Sequence, residues 1–493
     1  MAKLTINGKG VEAPDGTLVI DAAEKAGIVV PRYCYHPALG NPGNCRLCVV
    51  EVEGAPKPMV SCRLPVKEGM VVKTNSEAAL RAQASSVEMH LVNHPLDCPV
   101  CDQAGECGLQ DYYMEVGKYK SEVREDKGHK GKRKQIGEHV MLDQERCILC
   151  TRCTRFVDNV TKTHELGIFG RGHNEYIDLT PGKTLDNAYS GNVVDICPVG
   201  ALTDKDFRYK VRVWYLDETD SICTGCSRGC SIEVHTSTRR PWHNEGHRVA
   251  RLKPRFNPDV NGYWMCDEGR YGYKNLDDRR LGKVLRLKPV REELAWETAF
   301  DAVSSALNRG IVEKGIAGLA VIASGMLSNE DWAAFKTFFV DGLKVSKLLF
   351  GPEPDQVGEQ DEFLRRREKV PNLRGGTDLG LVSSLSWEAL ASELESGKIW
   401  GLYVIDREPA KVWGDKAGTL LAKLGLLIYQ GPSNGPTGES AHYRLPATAY
   451  VEEEGHFTNF EGKVQAYKKA LDPIGSALPD WQIFQGLSKA APR

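Results

Sequence analysis

The spacing of apolar and polar positions divides the chain into two unlike halves. The opening residues "KLTINGKGVEAPDGTLVIDAAEKAGI" read as a strand, a Pro-Asp-Gly turn, a second strand and a helix "VIDAAEKAG" that stops at Gly27, where a left-handed cap suits glycine. Between Glu77 and Asn93 the run "EAALRAQASSVEMHLVN" has helical apolar spacing and few breakers, which predicts one long helix. From residue 273 onward the pattern changes. Apolar runs "IAGLAVIAS", "LYVID" and "LGLLIYQ" alternate with helical stretches such as "SNEDWAAFKTFFVDGL", which predicts a layered α/β domain. No solenoid repeat and no low-complexity tract interrupts this order.

At 493 residues the chain has length for several domains, each with its own core. A net charge of −2 removes the electrostatic case for a nucleic-acid partner, and the basic run "KGHKGKRKQ" (127–135) reads as a solvated loop or a surface docked on a neighbour. The first residues show no export or organelle signal, and no run approaches the roughly eighteen apolar residues that span a bilayer. A soluble chain is the expectation. The 15 cysteines are odd in number, clustered in close pairs and without a signal peptide, which argues for thiolates binding metal in a reducing compartment, the cytoplasm.

All cysteines lie between Cys34 and Cys266, and they fall into four sets. The first is Cys34, Cys45, Cys48 and Cys62, whose loop "GNPGN" supplies glycines that let backbone N–H groups approach inorganic sulfide. It reads as a [2Fe-2S] centre on a β-grasp frame, with a four-cysteine zinc site as the alternative. The second holds only Cys98, Cys101 and Cys107, with His94 four residues before the first of them. A cube offers four iron corners, so His94 is the candidate for the open one, and its neutral imidazole removes a negative charge and raises the reduction potential. Taken alone, this set suits zinc as well as iron. His36 and His90 are decoys. The third set is the most specific: "CILCTRC" places Cys147, Cys150 and Cys153 at the gaps that wrap one [4Fe-4S] cube, and "CPVGA" adds Cys197 before a proline. Val157 stands where two-cluster ferredoxins have a further cysteine, so one cube forms here. The fourth set, Cys223, Cys226, Cys230 and Cys266 in "CTGCSRGC" and "YWMCDEG", leaves no cysteine over.

Through "NHPLDCPVCDQAGECGLQD", "RCILCTRCTRF" and "SGNVVDICPVGALTDKDFRYKVRVW", the first half resembles the family of large iron-sulfur subunits of NADH:quinone oxidoreductase, respiratory complex I. The resemblance implies one [2Fe-2S] and three [4Fe-4S] clusters, with His94 as an iron ligand. It implies an order of domains: a β-grasp 2Fe-2S domain (1–76), a helical histidine-plus-three-cysteine 4Fe-4S domain (77–137), a ferredoxin-like 4Fe-4S domain (138–215) and a four-cysteine 4Fe-4S domain (216–272). The remainder (273–493) looks like the molybdopterin domain of formate dehydrogenases, beginning at "CDEGRYGY" and returning at "SAHYRLPATAYVEEEGHFTNFEGKVQ". It departs from active members: no cysteine follows Cys266 to ligate molybdenum, Glu268 stands where active enzymes have lysine, and the chain falls short of a full domain. We read it as a scaffold remnant without a molybdenum cofactor. The fold class expected is thus multidomain, α+β followed by α/β.

The family's role is electron relay. A flavoprotein subunit oxidises NADH, and single electrons pass by way of the binuclear centre, the Cys147 cube and the His94 cube toward quinone, with the Cys223 cube as a side station. Implied partners are that flavoprotein and the other hydrophilic-arm subunits, and the implied location is peripheral, on the cytoplasmic face of the inner membrane. No G-x-G-x-x-G follows a strand, no phosphate loop is present, and "GRGHNE" (170–175) lacks the final glycine, so the chain is expected to have no catalytic residues and no nucleotide or flavin site of its own. The alternatives are the corresponding subunit of a soluble NAD-linked hydrogenase or formate dehydrogenase, and a zinc-stabilised scaffold without redox role.

Overall fold

The computed structural model describes residues 1–351 and 357–490, and it divides into two compact units, Met1–Leu216 and Asp217–Arg493. The first unit opens with strands β1 (Ala2–Ile6) and β2 (Lys9–Ala13), helix α1 (Val19–Lys25), and strands β3 (Val49–Val52), β4 (Met59–Val60) and β5 (Val71–Lys73). They form a five-stranded sheet in the order β2-β1-β5-β3-β4, with β1 and β5 parallel. Val19, Ile20, Ala22 and Ala23 of α1 pack on Leu4, Ile6, Val50 and Val72 of the sheet. Each larger aliphatic so buried contributes about 1.5–3 kcal/mol. Gly27 takes the expected left-handed conformation (φ +76°), and Ile28 N–H donates to Ala23 O at 2.8 Å to close the helix end.

The first turn of this segment does not fall at Pro-Asp-Gly, as its sequence suggests. The hairpin turns at Asn7-Gly8, both with positive φ (51° and 81°), and Pro14-Asp15-Gly16 follows β2 to lead into α1. An Asn-Gly pair gives a two-residue turn whose twist matches the strands, and it outcompetes the Pro-Asp-Gly signal.

Helix α2 (Glu77–Leu91) begins where Ser76 Oγ accepts from Ala79 N–H at 3.2 Å. It ends two residues before the expected Asn93, because Pro95 disfavours helical backbone at His94. Helix α3 (Gly108–Val116) follows, then strands β6 (Lys134–Gln135) and β7 (Val140–Leu142), helix α4 (Arg152–Asn159), the hairpin β8 (Leu166–Phe169) and β9 (Tyr176–Leu179), helix α5 (Asn192–Ile196) and strand β10 (Leu202–Asp204). β10, β7 and β6 make a small antiparallel sheet. The basic run docks on its own unit: Lys127 Nζ donates to Leu91 O and Val92 O (2.7 and 3.0 Å), Lys132 pairs with Asp97 and Glu145, and Lys134 with Asp178.

The second unit starts with an antiparallel sheet of β11 (Asp217–Ile222), β12 (Ser231–Thr236) and β13 (Val249–Pro254), followed by α6 (Asp267–Tyr271). Next in sequence come β14 (Leu285–Arg286), β15 (Glu292–Glu293), α7 (Trp296–Lys314), β16 (Leu319–Ala323), α8 (Asn329–Phe335), β17 (Lys347–Phe350), β18 (Gly401–Ile405), β19 (Leu426–Gly431) and β20 (Tyr443–Pro446). The strands form one seven-stranded sheet ordered β15-β14-β20-β19-β18-β16-β17, parallel from β20 to β17. Both faces are covered, so the strands read as continuous apolar runs. Leu319, Val321 and Ala323 of β16 enter the core built on Trp332, Phe335 and Phe484, while Ala320 and Ile322 enter the opposite core with Leu390 and Leu420. This is the layered α/β arrangement expected from the alternating runs.

Candidate metal centres

The first cysteine set sits on the loop between α1 and β3 and on the turn after β4. Gly43 has φ +71°, and a Cβ there would stand 2.5 Å from Arg63 Cδ, so the bend needs glycine. The sulfurs come together as two pairs. The Cys45 thiol donates to the Cys34 sulfur, and with the N–H groups of Cys45, Asn44 and Gly43 it holds Cys34 down at about 5. Cys62 does the same for Cys48, held at about 7. The protons stay on Cys45 and Cys62, each pushed up by its anionic partner and by burial.

In the second set the end of α2 delivers His94, whose N–H donates to Leu91 O at 3.2 Å. Its Nδ1 is buried, and among the described residues nothing hydrogen-bonds to it. Burial, with Arg146 and Lys127 nearby, holds the imidazole neutral, its pKa lowered to about 4. His94, Cys98 and Cys107 line one cavity of about 470 Å³. Cys98 is exposed, whereas Cys101 and Cys107 are buried. Cys107 stands at the N-terminus of α3 with the N–H groups of Gln110 and Leu109 facing its sulfur, though burial still pushes it up to about 11. The decoys are engaged elsewhere: His90 Nδ1 lies 2.7 Å from Ser86 O with its ring edge-on to Tyr33, and His36 Nδ1 accepts from Ala38 N–H at 3.2 Å.

The third set is wrapped by two non-glycine residues in left-handed backbone, Leu149 (φ 53°) and Thr151 (φ 63°). Leu149 N–H donates to Cys147 Sγ at 3.4 Å, Cys153 lies on the first turn of α4, and Cys197 ends α5. All four sulfurs line one small apolar cavity, and burial pushes Cys147 and Cys197 up to about 12. In the second unit Cys223 N–H donates to Cys230 O at 2.8 Å, and Cys266 caps α6, accepting from Gly269 N–H at 3.4 Å. Gly269 must lack a side chain, since a Cβ would stand 2.7 Å from Cys223 Sγ. Glu268, half exposed, is paired at 2.5 Å with Lys369, a partner distant in sequence that no local pattern announces.

Among the described residues no three cysteine sulfurs lie within 4.8 Å of one another. A tetrahedral zinc with bonds of about 2.3 Å would draw its sulfurs to about 3.8 Å. No three of the sulfurs are therefore drawn together as closely as one tetrahedral ion would hold them. The group that does meet that distance, Glu218, Glu233 and His235, has Arg251 Nε donating to His235 Nδ1 at 3.4 Å, which turns the imidazole away from cation binding.

Residues 83–122 match the NADH-ubiquinone oxidoreductase-G iron-sulfur binding region, and 137–203 match the ferredoxin-like domain of NADH-quinone oxidoreductase subunit 3. The mitochondrial NADH-ubiquinone oxidoreductase 78 kDa subunit of Neurospora crassa is 41% identical over 604 positions, covering 99% of this chain and 80% of that one. The corresponding NADH-quinone oxidoreductase subunit of Rickettsia bellii is 30% identical, covering 99% of this chain and 86% of the relative. The chain belongs to the large iron-sulfur subunit family of NADH-quinone oxidoreductase. In this family member, residues 1–77 match a 2Fe-2S iron-sulfur cluster binding domain, 216–278 a molybdopterin oxidoreductase Fe4S4 domain and 344–490 molybdopterin oxidoreductase, so domains of both cluster kinds and a molybdopterin oxidoreductase region are present. A chain of the NAD+-reducing [NiFe]-hydrogenase crystal structure is 31% identical over 43% of this chain and 91% of its own, with a TM-score of 0.39. The 604 aligned positions exceed the 493 residues here, so the Neurospora chain carries segments inside the aligned range that this chain lacks. Its shortness is at least partly internal. Among the described residues no helix is long and apolar enough to cross a membrane.

Proposed function

We propose that this chain is the electron-relay subunit of an NADH:quinone oxidoreductase, holding one [2Fe-2S] and three [4Fe-4S] clusters on the four sets described above. Iron-sulfur clusters, when bound, take up and release single electrons. The chain's own residues do the rest. The paired sulfurs, Cys34 with Cys45 and Cys48 with Cys62, would each hold one of two irons, Cys45 and Cys62 giving up their protons on binding. The N–H groups of Gly43, Asn44 and Cys45 stabilise negative charge at the Cys34 sulfur. His94 supplies a neutral ligand beside three thiolates, with the Arg146 guanidinium close by. Cys150, Cys153 and Cys197 are buried and Cys147 partly so, which limits water at the third set and favours electron transfer over side reactions.

The observation that carries the reading is the buried His94 Nδ1, which has no hydrogen-bond partner among the described residues and opens on a cavity shared with Cys98 and Cys107. A buried imidazole nitrogen left bare costs about 1–3 kcal/mol, which a metal bond offsets. The modules follow as 1–76, 77–137, 138–215, 216–272 and a non-catalytic 273–493. Electrons enter from an NADH-oxidising flavoprotein at the Cys34 set, continue to the Cys147 set and leave from the His94 set, with the Cys223 set to one side. The protein docks on the cytoplasmic face of the membrane through its neighbours in the complex.

The test is anaerobic isolation of the tagged chain from its host, with metal analysis and identification of co-purifying chains. About 14 iron per chain, no stoichiometric zinc, and membrane subunits in the eluate are expected. Four zinc per chain would end the redox reading, and a hydrogenase in place of membrane subunits would move the chain to that complex. The isolated chain should not reduce ferricyanide with NADH until a flavin-bearing partner is added.

A further inference from the structure

We infer that Arg152 and Arg155 form a two-guanidinium clasp that fixes the separation of the first and third ligand sets and so sets how strongly their centres couple. The inference rests on the relay reading, and it concerns positioning residues, not ligands. Both arginines follow Cys150 in "CTRCTR" and project from the start of α4. Arg152 Nη2 donates to Tyr35 O at 2.6 Å, the residue after Cys34, and its Nη1 donates to Ile196 O at 3.1 Å, the residue before Cys197. Arg155 repeats the design: Nη2 donates both to Cys34 O and, at 3.4 Å, to Cys150 O, while Nη1 donates to Leu39 O at 2.7 Å. Asn44 Nδ2, beside Cys45, adds a third tie to Leu149 O at 3.0 Å.

Each guanidinium therefore joins backbone next to, or of, a candidate ligand in one set with backbone of the other. Carbonyls on two loops at fixed angles are what a planar fork serves and a lysine ammonium does not. The bland reading is that the arginines only satisfy loop carbonyls. Two facts weigh against it. Among the described residues neither guanidinium is ion-paired with a carboxylate, and Arg152 Nε is buried without a hydrogen-bond partner. Two uncompensated cations between two thiolate sets are costly in the bare protein, and they are matched only when those sets carry net negative charge. Electron transfer between centres falls steeply with distance, so a rigid tie across this gap bears directly on relay. The same charges favour the reduced state on both sides.

The experiment uses the full chain purified with its clusters. In Arg152→Lys/Arg155→Lys the charges remain and the forks are lost; in Arg152→Gln/Arg155→Gln both are lost. The readouts are iron content, the EPR signal and potential of each centre, and the magnetic coupling between the first and third centres. Both variants are expected to keep their own signals. The lysine variant should lose the defined coupling at unchanged potentials, and the glutamine variant should also shift both potentials downward. Wild-type coupling in a lysine variant with full iron overturns the clasp. Should a double variant lose a cluster, Arg155→Lys alone carries the same decision: weakened coupling supports the clasp and unchanged coupling overturns it. A wild-type chain with no paramagnetic binuclear signal would instead sink the relay reading, whatever the variants do.

Discussion

Gly200 lies hard against Cys101: a Cβ on Gly200 would stand 2.1 Å from the Cys101 sulfur and 3.6 Å from Arg146 Cδ. The glycine belongs to the segment that supplies Cys197 to the third set, yet its missing side chain makes room for a sulfur of the second. Gly200→Ala should therefore displace Cys101 and cost the second centre while sparing the third. Iron would fall by up to about four per chain, with the Cys147-set EPR signal retained. Loss of the Cys147-set signal with the second retained would contradict this assignment.

His94 gives the sharpest test of ligand identity. His94→Ala should leave one corner open and make that cluster labile while the other three persist. His94→Cys restores a fourth ligand but adds negative charge, so the cluster should assemble with a lowered potential. Redox titration followed by EPR reads both effects. Wild-type signals at wild-type potentials in both variants would show that the orphaned Nδ1 has another cause.

Asp480 provides a pH-dependent signature in the second unit. Burial and then the neighbouring Asp331 hold its carboxyl well above the usual range, and Gln430 Nε2 donates to it. The folded chain thus keeps a proton that the unfolded chain releases near pH 4, and the stability this confers is lost as pH rises from there toward the raised folded value, by about 1.4 kcal/mol per unit. Asp480→Asn keeps the acceptor for Gln430 and removes the titration. Thermal unfolding should show the variant more stable than wild type at pH 8, with the gap closing toward pH 4. A constant gap would mean that Asp480 is ionised in the fold.

The molybdopterin oxidoreductase region should bind no molybdenum. No cysteine lies beyond Cys266, and Glu268 beside the fourth set is held by Lys369. Growth with molybdate or tungstate should give no formate oxidation and no extractable pterin. A pterin recovered from the purified chain would reverse the remnant reading.

Local signals were legible in the sequence where chemistry and spacing act over a few residues. The Gly27 cap and the buried runs that become β16, β18 and β19 need no distant partner to be recognised. His94 was reachable because four sets of ligands were one cysteine short. The hairpin at Asn7-Gly8 was misplaced because two turn signals competed within ten residues, and strand twist, which decides between them, is not written locally. Gly200, Lys369 and the arginines at 152 and 155 were invisible for a different reason. Their partners lie far away in sequence, at Cys101, Glu268, Tyr35 and Cys34, and only the folded chain brings them together.

The stretch after Cys197 also folds over the second set. Gly108 N–H donates to Pro198 O at 2.9 Å, Tyr209 N–H to Asp102 Oδ1 at 2.7 Å and Arg212 Nη1 to Cys101 O at 2.5 Å. The loop bearing Cys98, Cys101 and Cys107 is thus held by a strap whose near end is itself anchored at Cys197. Maturation acquires a direction from this. By these contacts the Cys147 set can close while the loop of the His94 set is still loose, whereas that loop is held only once the strap is seated. Newly made chains caught early should carry the ferredoxin-like cube first, and the histidine-ligated one should be the last in that unit to arrive and the first to leave.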